Sequence, residues 1–359
     1  MLVMPRCRCA RRRARSAVFC HALRPGGGHS FGADRCRPVQ SARLTSSIEH
    51  LEPFMFMPRR LPDGAYADLV TPFRNGEVDH AGLVSLIDWQ IQSGMSGLVV
   101  CGENSEAYNL NDDERIAVIR TAVEAANGIV PVLVGTGSNC TRSTLDLTLK
   151  AKALGADAAL LVTPYYSKPT QKGLFAHFQT VAEAVDFPMV IVNAPARSAV
   201  DITPDLAEKL ARLSSVIGLV DCTGDIARPA QLSAACRVRM HCYSGHERTA
   251  LAFALAGGHG AFSLAANIAP RQVAAMHNAF RYGNSAAARM LQDRLLPLFA
   301  ALELEHPIAA AKLGLSVILG LSPELRLPLT PVGIETELQM RAALTLLGTV
   351  SAKTSAKAS

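Results

Sequence analysis

The feature that most constrains this chain is a repeat of short apolar runs, each followed by an amphipathic segment, about every 25 to 30 residues. Eight runs follow this rhythm: AYADLVTPF (65–73), SGLVVCGEN (96–104), VPVLVGTGSN (130–139), AALLVTPYY (158–166), PMVIVNAPAR (188–197), VIGLVDCTG (216–224), VRMHCYSGHE (238–247) and GAFSLAAN (260–267). Their near-continuous apolar character is typical of strands that are covered on both faces. Eight such units in series predict an α/β fold, a closed (β/α)₈ TIM barrel.

The segments between the runs carry helix-boundary signals. Asn111 is a good N-cap, and Glu114 is placed to complete a capping box. Another helix is predicted after Thr203, with Pro204 in its first turn. After Asn267 the strand pattern stops, so we predict a barrel over 60–283, C-terminal helices over 284–350 and a tail over 351–359.

The positive charge of the chain is concentrated in its head. Residues 1–58 hold ten Arg against Asp34, Glu49 and Glu52, which gives this head a net charge of +7. The whole chain has a net charge of +6, so the remaining residues carry about −1. We therefore expect no nucleic-acid surface on the body. The head lacks the pattern of a secretory signal. Three interpretations of it remain open: a disordered tail upstream of a start at Met55 or Met57, an organelle transit segment, or a basic arm that binds a partner.

Cysteine usage and hydropathy indicate the compartment. The nine cysteines are irregularly spaced, which favours reduced thiols and a cytoplasmic protein unless the head is a genuine transit segment. No apolar stretch approaches the roughly 20 residues that span a membrane, so we expect no membrane partner. We expect no cofactor. The glycines of GTGSN (135–139) and GGHG (257–260) are interpreted as tight turns with positive φ and not as a phosphate loop.

Seven strings resemble one known family in order and spacing. They are LVTPF (69–73), PVLVGTGSN (131–139), TPYYSKPTQKGL (163–174), NAPAR (193–197), IGLVDCTG (217–224), GGHGAFS (257–263) and LRLPLTP (325–331). Together they resemble the dihydrodipicolinate synthase and N-acetylneuraminate lyase family from about residue 64 to 348. The resemblance implies a lyase-type barrel that acts on a 2-keto or related carboxylic acid.

The chemistry implied by the resemblance is a Schiff base with a lysine at the end of the sixth strand. A tyrosine and a Thr-Thr pair would move protons, and an arginine would bind a carboxylate. In this sequence the lysine position is Val220 and the tyrosine position is Val192. The Thr-Thr pair becomes Glu103 and Asn104, and the glycine that follows becomes Ser105.

Other family positions are retained. Arg197 falls on the arginine, Tyr166 on a tyrosine that family members lend across a subunit interface, and Glu106 on the glutamate of the loop after the second strand. We therefore expect a small carboxylic acid ligand held by Arg197, Tyr166, Asn104 and Glu103. A homo-oligomer, a dimer or tetramer, is also implied.

No other lysine is a good substitute for the missing one. Only Lys168 falls in a loop at the carboxyl ends of the strands, and a solvated rim position does not suit an amine that must be neutral. Classical Schiff-base catalysis is therefore expected to be absent, and the catalytic residues stay unknown. A further polar site of Glu106, Asp221 and His246 is conceivable. With Glu103 these groups could hold a divalent metal, although no pair has metal-ligand spacing and no metal is predicted.

Three functions from different classes remain. The first is a lyase or hydro-lyase that works on a keto or hydroxy acid without a lysine. The second is a non-catalytic member that binds a ligand or assembles with an active relative. The third, an unchanged aldolase or synthase, is the least compatible with Val220.

Overall fold

The computed structural model describes residues 60–349, and the predictions for the head and the tail lie outside them. The strands are β1 (Gly64–Asp68), β2 (Phe73–Arg74), β3 (Glu77–Val78), β4 (Gly97–Val100), β5 (Val132–Gly135), β6 (Ala158–Val162), β7 (Met189–Asn193), β8 (Val216–Asp221), β9 (His241–Ser244) and β10 (Gly260–Ser263). The first helices are α1 (His80–Gln92), α2 (Asp112–Ala126), α3 (Thr141–Ala153), α4 (Gln171–Ala184), α5 (Pro195–Ser198), α6 (Pro204–Leu210), α7 (Arg228–Gln231), α8 (Ala234–Arg239) and α9 (Ala250–Leu255). Four longer ones complete the chain: α10 (Pro270–Arg281), α11 (Ser285–Glu303), α12 (Pro307–Leu319) and α13 (Ile334–Leu346).

Eight parallel strands form a closed barrel in the order β1, β10, β9, β8, β7, β6, β5, β4. The ring closes because β1 pairs with two neighbours: Tyr66 lies opposite Phe262 of β10 and opposite Gly97 of β4. This confirms the predicted (β/α)₈ fold with C-terminal helices. The two-residue strands β2 and β3 form a separate antiparallel hairpin that the sequence pattern did not predict.

The predicted helix starts are confirmed. Asn111 accepts a hydrogen bond from the Glu114 backbone while the Glu114 carboxylate accepts one from the Asn111 backbone, which completes a capping box. The Thr203 side chain accepts from the backbone of Leu206 at the start of α6. Each cap satisfies backbone donors that have no partner inside the helix.

The observed strands are shorter than the apolar runs. The run 238–247 begins inside α8, which ends at Arg239 and whose first turn is capped by Ser233, which accepts from the Cys236 backbone at 3.1 Å. At the other ends, the last residues of most runs leave the ladder and form the loops above the barrel. These loops carry the polar residues that the sequence singled out.

The glycines of GTGSN have a different role from the predicted one. Gly135 and Gly137 are not among the positive-φ residues, so the positive-φ interpretation is wrong for them. A Cβ on Gly135 would lie 1.9 Å from the Cys101 carbonyl oxygen, and one on Gly137 would lie 2.3 Å from the Val162 backbone nitrogen. Only glycine permits this close approach of neighbouring strands. In GGHG, Gly257 and Gly260 do have positive φ.

Aromatic rings fill the lower part of the barrel. Tyr66 stacks on Phe262 with ring centroids 4.9 Å apart, and Tyr243 packs edge-on against both. The Tyr66 hydroxyl donates to the Pro62 carbonyl at 2.7 Å, so this buried phenol is satisfied. These three rings therefore pack the interior of the barrel between β1, β9 and β10.

A buried ion pair ties the C-terminal helices to the barrel. The Lys312 ammonium of α12 lies 2.6 Å from the Glu106 carboxylate and 4.1 Å from the centre of the Phe73 ring, and it also donates to the Glu324 carbonyl. Both charged side chains are almost fully buried. Burial lowers the pKa of Lys312 to about 8 although Glu106 opposes that shift. The sequence analysis treated Lys312 as one of several helical lysines and missed this pair.

Substituting Glu106→Gln should lower the free energy of unfolding by about 3 to 5 kcal/mol, because it leaves a buried cation without its counter-charge. The double variant Glu106→Gln with Lys312→Met should recover most of that loss. Urea denaturation measures both. Glu337→Gln, which breaks the partly exposed Glu337–Arg341 pair of α13, is the control and should cost about 0.5 kcal/mol or less. A double variant as unstable as the single one would contradict this account.

Candidate active site

A cavity of about 500 Å³ opens at the carboxyl ends of the barrel strands. Its polar lining includes Asp68, Glu103, Asn104, Arg115, Arg197, His246 and Glu247, and its apolar lining includes Leu160, Val162, Val192, Val220 and Phe262. The cavity has the size of a small-molecule site and lies where the chemistry of this fold is expected.

The floor is apolar at the two positions that the resemblance marks as catalytic. Val192 and Val220 lie opposite each other on β7 and β8, the fifth and sixth strands of the barrel, and both belong to the inner apolar cluster. They are 5% and 2% exposed. Neither side chain can act as a nucleophile or carry a proton.

Within residues 60–349, no lysine lines this cavity. Five of the six lysines in that range are exposed, Lys168 among them. The sixth, Lys312, is held by Glu106 as described above. The described part of the chain therefore brings no lysine amine to the floor of the cavity.

Glu103 and Arg197, which the sequence predicted to bind substrate, lie together in the wall. Glu103 follows β4, and Arg197 lies on the short helix α5, which begins at Pro195. The Arg197 Nε atom is 3.4 Å from the Glu103 carboxylate, and both side chains are partly exposed to the cavity. Burial raises the pKa of Glu103, and Arg197 opposes that shift.

Asp68 and Asn104 form a second polar pair. Asp68 ends β1 and shares the inward face of that strand with Tyr66, two residues earlier. Asn104 Nδ2 donates to Asp68 Oδ2 at 2.7 Å, and Asp68 Oδ1 has no hydrogen-bond partner. Burial, with a smaller contribution from Glu103, raises the pKa of Asp68 to about 8. This carboxyl is therefore mainly neutral at pH 7.

Glu247 supplies a third carboxyl with a raised pKa. Its oxygens accept from the Ser263 hydroxyl at 3.0 Å and from the Ala265 backbone at 2.8 Å. Burial raises its pKa to about 7 although these hydrogen bonds lower it. His246 beside it also lines the cavity, and its Nδ1 atom is hydrogen-bonded with the Thr249 hydroxyl. Titratable groups near neutral pH in one cavity are typical of functional sites.

Two residues of the polar site considered in the sequence analysis, Glu106 and Asp221, do not reach the cavity. Glu106 is engaged by Lys312, and Asp221 accepts from Asn193 and Thr223 and lies 3.6 Å from Arg228. Neither lines the cavity wall. Between residues 60 and 349 no cluster of three or more His, Cys, Asp or Glu side chains is arranged to hold a metal ion. The grouping of Glu103, Glu106, Asp221 and His246 is therefore wrong.

Tyr166 points away from the cavity. It has φ +71° and is 92% exposed, whereas its neighbour Tyr165 lines the cavity. Tyr166 therefore does not line the cavity of its own chain, where the sequence analysis expected it to bind a ligand. An exposed Tyr166 leaves its role at a subunit interface as a prediction.

The two cysteines of the cavity are poor nucleophiles. Burial raises the pKa of Cys101 to about 11 and holds the pKa of the Cys222 thiol well above its usual range. The thiolate, which is the reactive form, is therefore scarce at neutral pH. All five cysteines in the part of the chain that the structure describes are free thiols.

The fold and the cavity at the carboxyl ends of its strands define a (β/α)₈-barrel protein with a cavity of small-molecule size. The sequence model of the Dihydrodipicolinate synthetase family matches residues 62–347, and the chain belongs to this family. Family members and the relatives below are lyase-type synthases. Among residues 60–349 we find no helix with the length and apolar character that crossing a membrane requires.

Curated relatives match over most of their length. The 4-hydroxy-tetrahydrodipicolinate synthase of Nitrobacter hamburgensis is 43% identical over 285 residues, covering 79% of this chain and 96% of that protein. The enzyme of the same name from Acidiphilium cryptum is 44% identical over 287 residues, covering 79% and 98%.

Solved structures match equally well. Dihydrodipicolinate synthase from Thermotoga maritima has a TM-score of 0.79 at 34% identity and covers 81% of this chain and 100% of that chain. A structure described as the first monomeric dihydrodipicolinate synthase variant has a TM-score of 0.80 at 32% identity, covering 82% and 100%.

Asp68 is the cavity residue that the sequence analysis missed. The run AYADLVTPF contains one acidic residue among apolar ones, two positions after Tyr66. A period of two places both side chains on the same face of a strand, so a carboxyl inside the barrel was the available signal.

Asp68→Asn should make the protein less sensitive to alkaline pH. The pKa of Asp68 rises from 3.8 to about 8 on folding, so its contribution to the free energy of unfolding is full below about pH 4 and is lost as the pH rises through about 8. An amide resembles the neutral acid, and we expect the variant to gain more than about 1 kcal/mol over the parent at pH 8 relative to pH 5.

Chemical denaturation at the two pH values tests this expectation. Asp112→Asn is the control: Lys150 holds the pKa of exposed Asp112 below its usual range, so the control should show no gain at pH 8. An equal response of both variants would show that the Asp68 carboxyl is not kept neutral by the fold.

Proposed function

We propose that this family member binds a 2-keto or related small carboxylic acid in the cavity and does so without a Schiff base. The observation that carries the proposal is the apolar pair Val192 and Val220 at the floor, which no lysine of residues 60–349 lines. Arg197 is the carboxylate partner in the wall, because a guanidinium can bind a carboxylate through two parallel hydrogen bonds.

Lyase-type chemistry on this acid would depend on the cavity carboxyls. Asp68, Glu103 and Glu247 have raised pKa values, and groups that titrate near neutral pH can act as general acids or bases. The second candidate is a non-catalytic protein that binds the same ligand or assembles with an active relative, and the apolar floor favours it. A homo-oligomer and a cytoplasmic location remain predictions for both candidates.

Incubation with pyruvate and borohydride followed by intact-protein mass spectrometry tests the absence of the imine. The parent protein should show no reduced adduct. Val220→Lys should show one, because it restores an amine at an almost fully buried floor position where the neutral form is favoured. Val99→Lys, a matched change at a buried residue of the inner cluster that does not line the cavity, is the control for nonspecific trapping. An adduct on the parent protein at any lysine would refute the proposal.

Arg197→Gln should weaken pyruvate binding at least tenfold, since one charge-assisted contact to a carboxylate contributes about 1.5 to 3 kcal/mol. Ligand-observed NMR of the pyruvate methyl group measures the affinity. Arg341→Gln is the matched control, because Arg341 pairs with Glu337 and neither residue lines the cavity. Turnover of keto acids by the parent protein would distinguish the enzyme from the non-catalytic candidate, and unchanged affinity in Arg197→Gln would remove Arg197 from the site.

A further inference from the structure

The carboxylate-binding arginine of this cavity already has a carboxylate partner. Arg197 Nε lies 3.4 Å from Glu103 Oε2, and this is the sole ion pair of either residue in the described range. The Glu103 side chain is 22% exposed, so it contacts the cavity and is not sealed behind it. An incoming ligand carboxylate must therefore share or replace Glu103 at the guanidinium.

Charge balance makes simple sharing unfavourable. The other guanidinium of the wall, Arg115, donates to the carbonyls of Gly135 and Ala107 and contacts no carboxylate. A bound monocarboxylate would leave two anions, its own carboxylate and that of Glu103, beside the Arg197 guanidinium in a cavity with an apolar floor. Like charges in such surroundings raise the pKa of a carboxyl until one of them takes a proton.

Glu103 is the group best placed to take that proton. Asp68 on β1, Cys222 after β8 and Arg197 on α5 are the ionisable groups coupled to it. Asp68 is already mainly neutral at pH 7, because burial raises its pKa to about 8, and burial keeps the thiol of Cys222 protonated. His246 and Glu247 also line the cavity, but neither forms an ion pair with Arg197.

We propose that Glu103 is a specificity-determining residue that a ligand carboxylate replaces on Arg197, and that Glu103 takes up one proton when this happens. The inference rests on the proposed function, because it requires Arg197 to bind the ligand acid. The proton comes from solvent and binds a Glu103 oxygen, so the site gains no net charge. Each monocarboxylate then binds with the uptake of one proton, which cancels its negative charge. A dianionic acid is disfavoured, because one proton cancels only one of its two negative charges.

The direction in which ligand affinity changes with pH follows from the Glu103–Arg197 ion pair. In the free protein burial raises the pKa of Glu103, and Arg197 opposes that rise. Once the ligand occupies Arg197 that opposition is lost and the pKa of Glu103 rises, so the complex binds more protons than the free protein. The affinity for a carboxylate should therefore fall as the pH rises between these two pKa values, by up to about tenfold per pH unit for one linked proton.

Pyruvate titrations followed by ligand-observed NMR between pH 6 and pH 8 measure this linkage. Pyruvamide, which has the same shape without the charge, is the matched ligand and should bind with the same affinity throughout. Glu103→Gln should remove the pH dependence and bind pyruvate more tightly than the parent at pH 8, because an amide leaves Arg197 free. Glu103→Asp should restore the pH dependence, and Glu337→Gln, which breaks a partly exposed Glu–Arg pair outside the cavity, should behave as the parent.

The outcomes separate this inference from the function on which it rests. Pyruvate binding that depends on Arg197 but not on pH would overturn the role of Glu103 and leave the proposed function intact. The same pH slope in Glu103→Gln as in the parent would also overturn it and would assign the proton to another carboxyl. Failure of the folded parent protein to bind pyruvate at any pH would overturn both.

Discussion

The hydrogen bonds that close the barrel are the constraint on which the rest of the structure depends. Strand β1 pairs with β10 on one side and with β4 on the other, so the first and last barrel strands meet. That closure brings Asp68, Glu103, Arg197 and Glu247, which are far apart along the chain, to one rim. It also aligns Val192 with Val220 at the floor. The positions of the apolar floor and of the wall carboxyls are therefore consequences of one register.

The fold was predictable from the sequence because it depends on patterns that are local or regular. The eight apolar runs predicted the eight barrel strands, and the capping box at Asn111 and Glu114 is formed as predicted. The runs overestimated strand length, since apolar character continues past the last ladder hydrogen bond into the loops. The hairpin of β2 and β3 was missed because two strands of two residues each give no period to detect.

The residues of the site were predictable only where a motif at the end of a strand gives their place in the fold. Strand-end motifs located Val220, Val192, Glu103 and Arg197, and the last two do meet. Side-chain partners across the fold were beyond a single sequence: Glu106 is bound by Lys312 from a helix about two hundred residues later, which removes it from the cavity. A positive φ at Tyr166 turns that ring outward and leaves Tyr165 in the wall, a local reversal that no periodicity predicts.

The electrostatic character of the cavity depends on its apolar floor at Val192 and Val220. An apolar floor removes the covalent route but also lowers the local dielectric, which strengthens the interactions between the wall carboxyls. Asp68 and Glu247 respond with pKa values of about 8 and about 7, because each carboxylate is costly in such surroundings. Burial of these two carboxyls therefore gives a cavity whose proton content changes near neutral pH. An acid bound there, as we propose, would meet groups that exchange protons with it in this pH range.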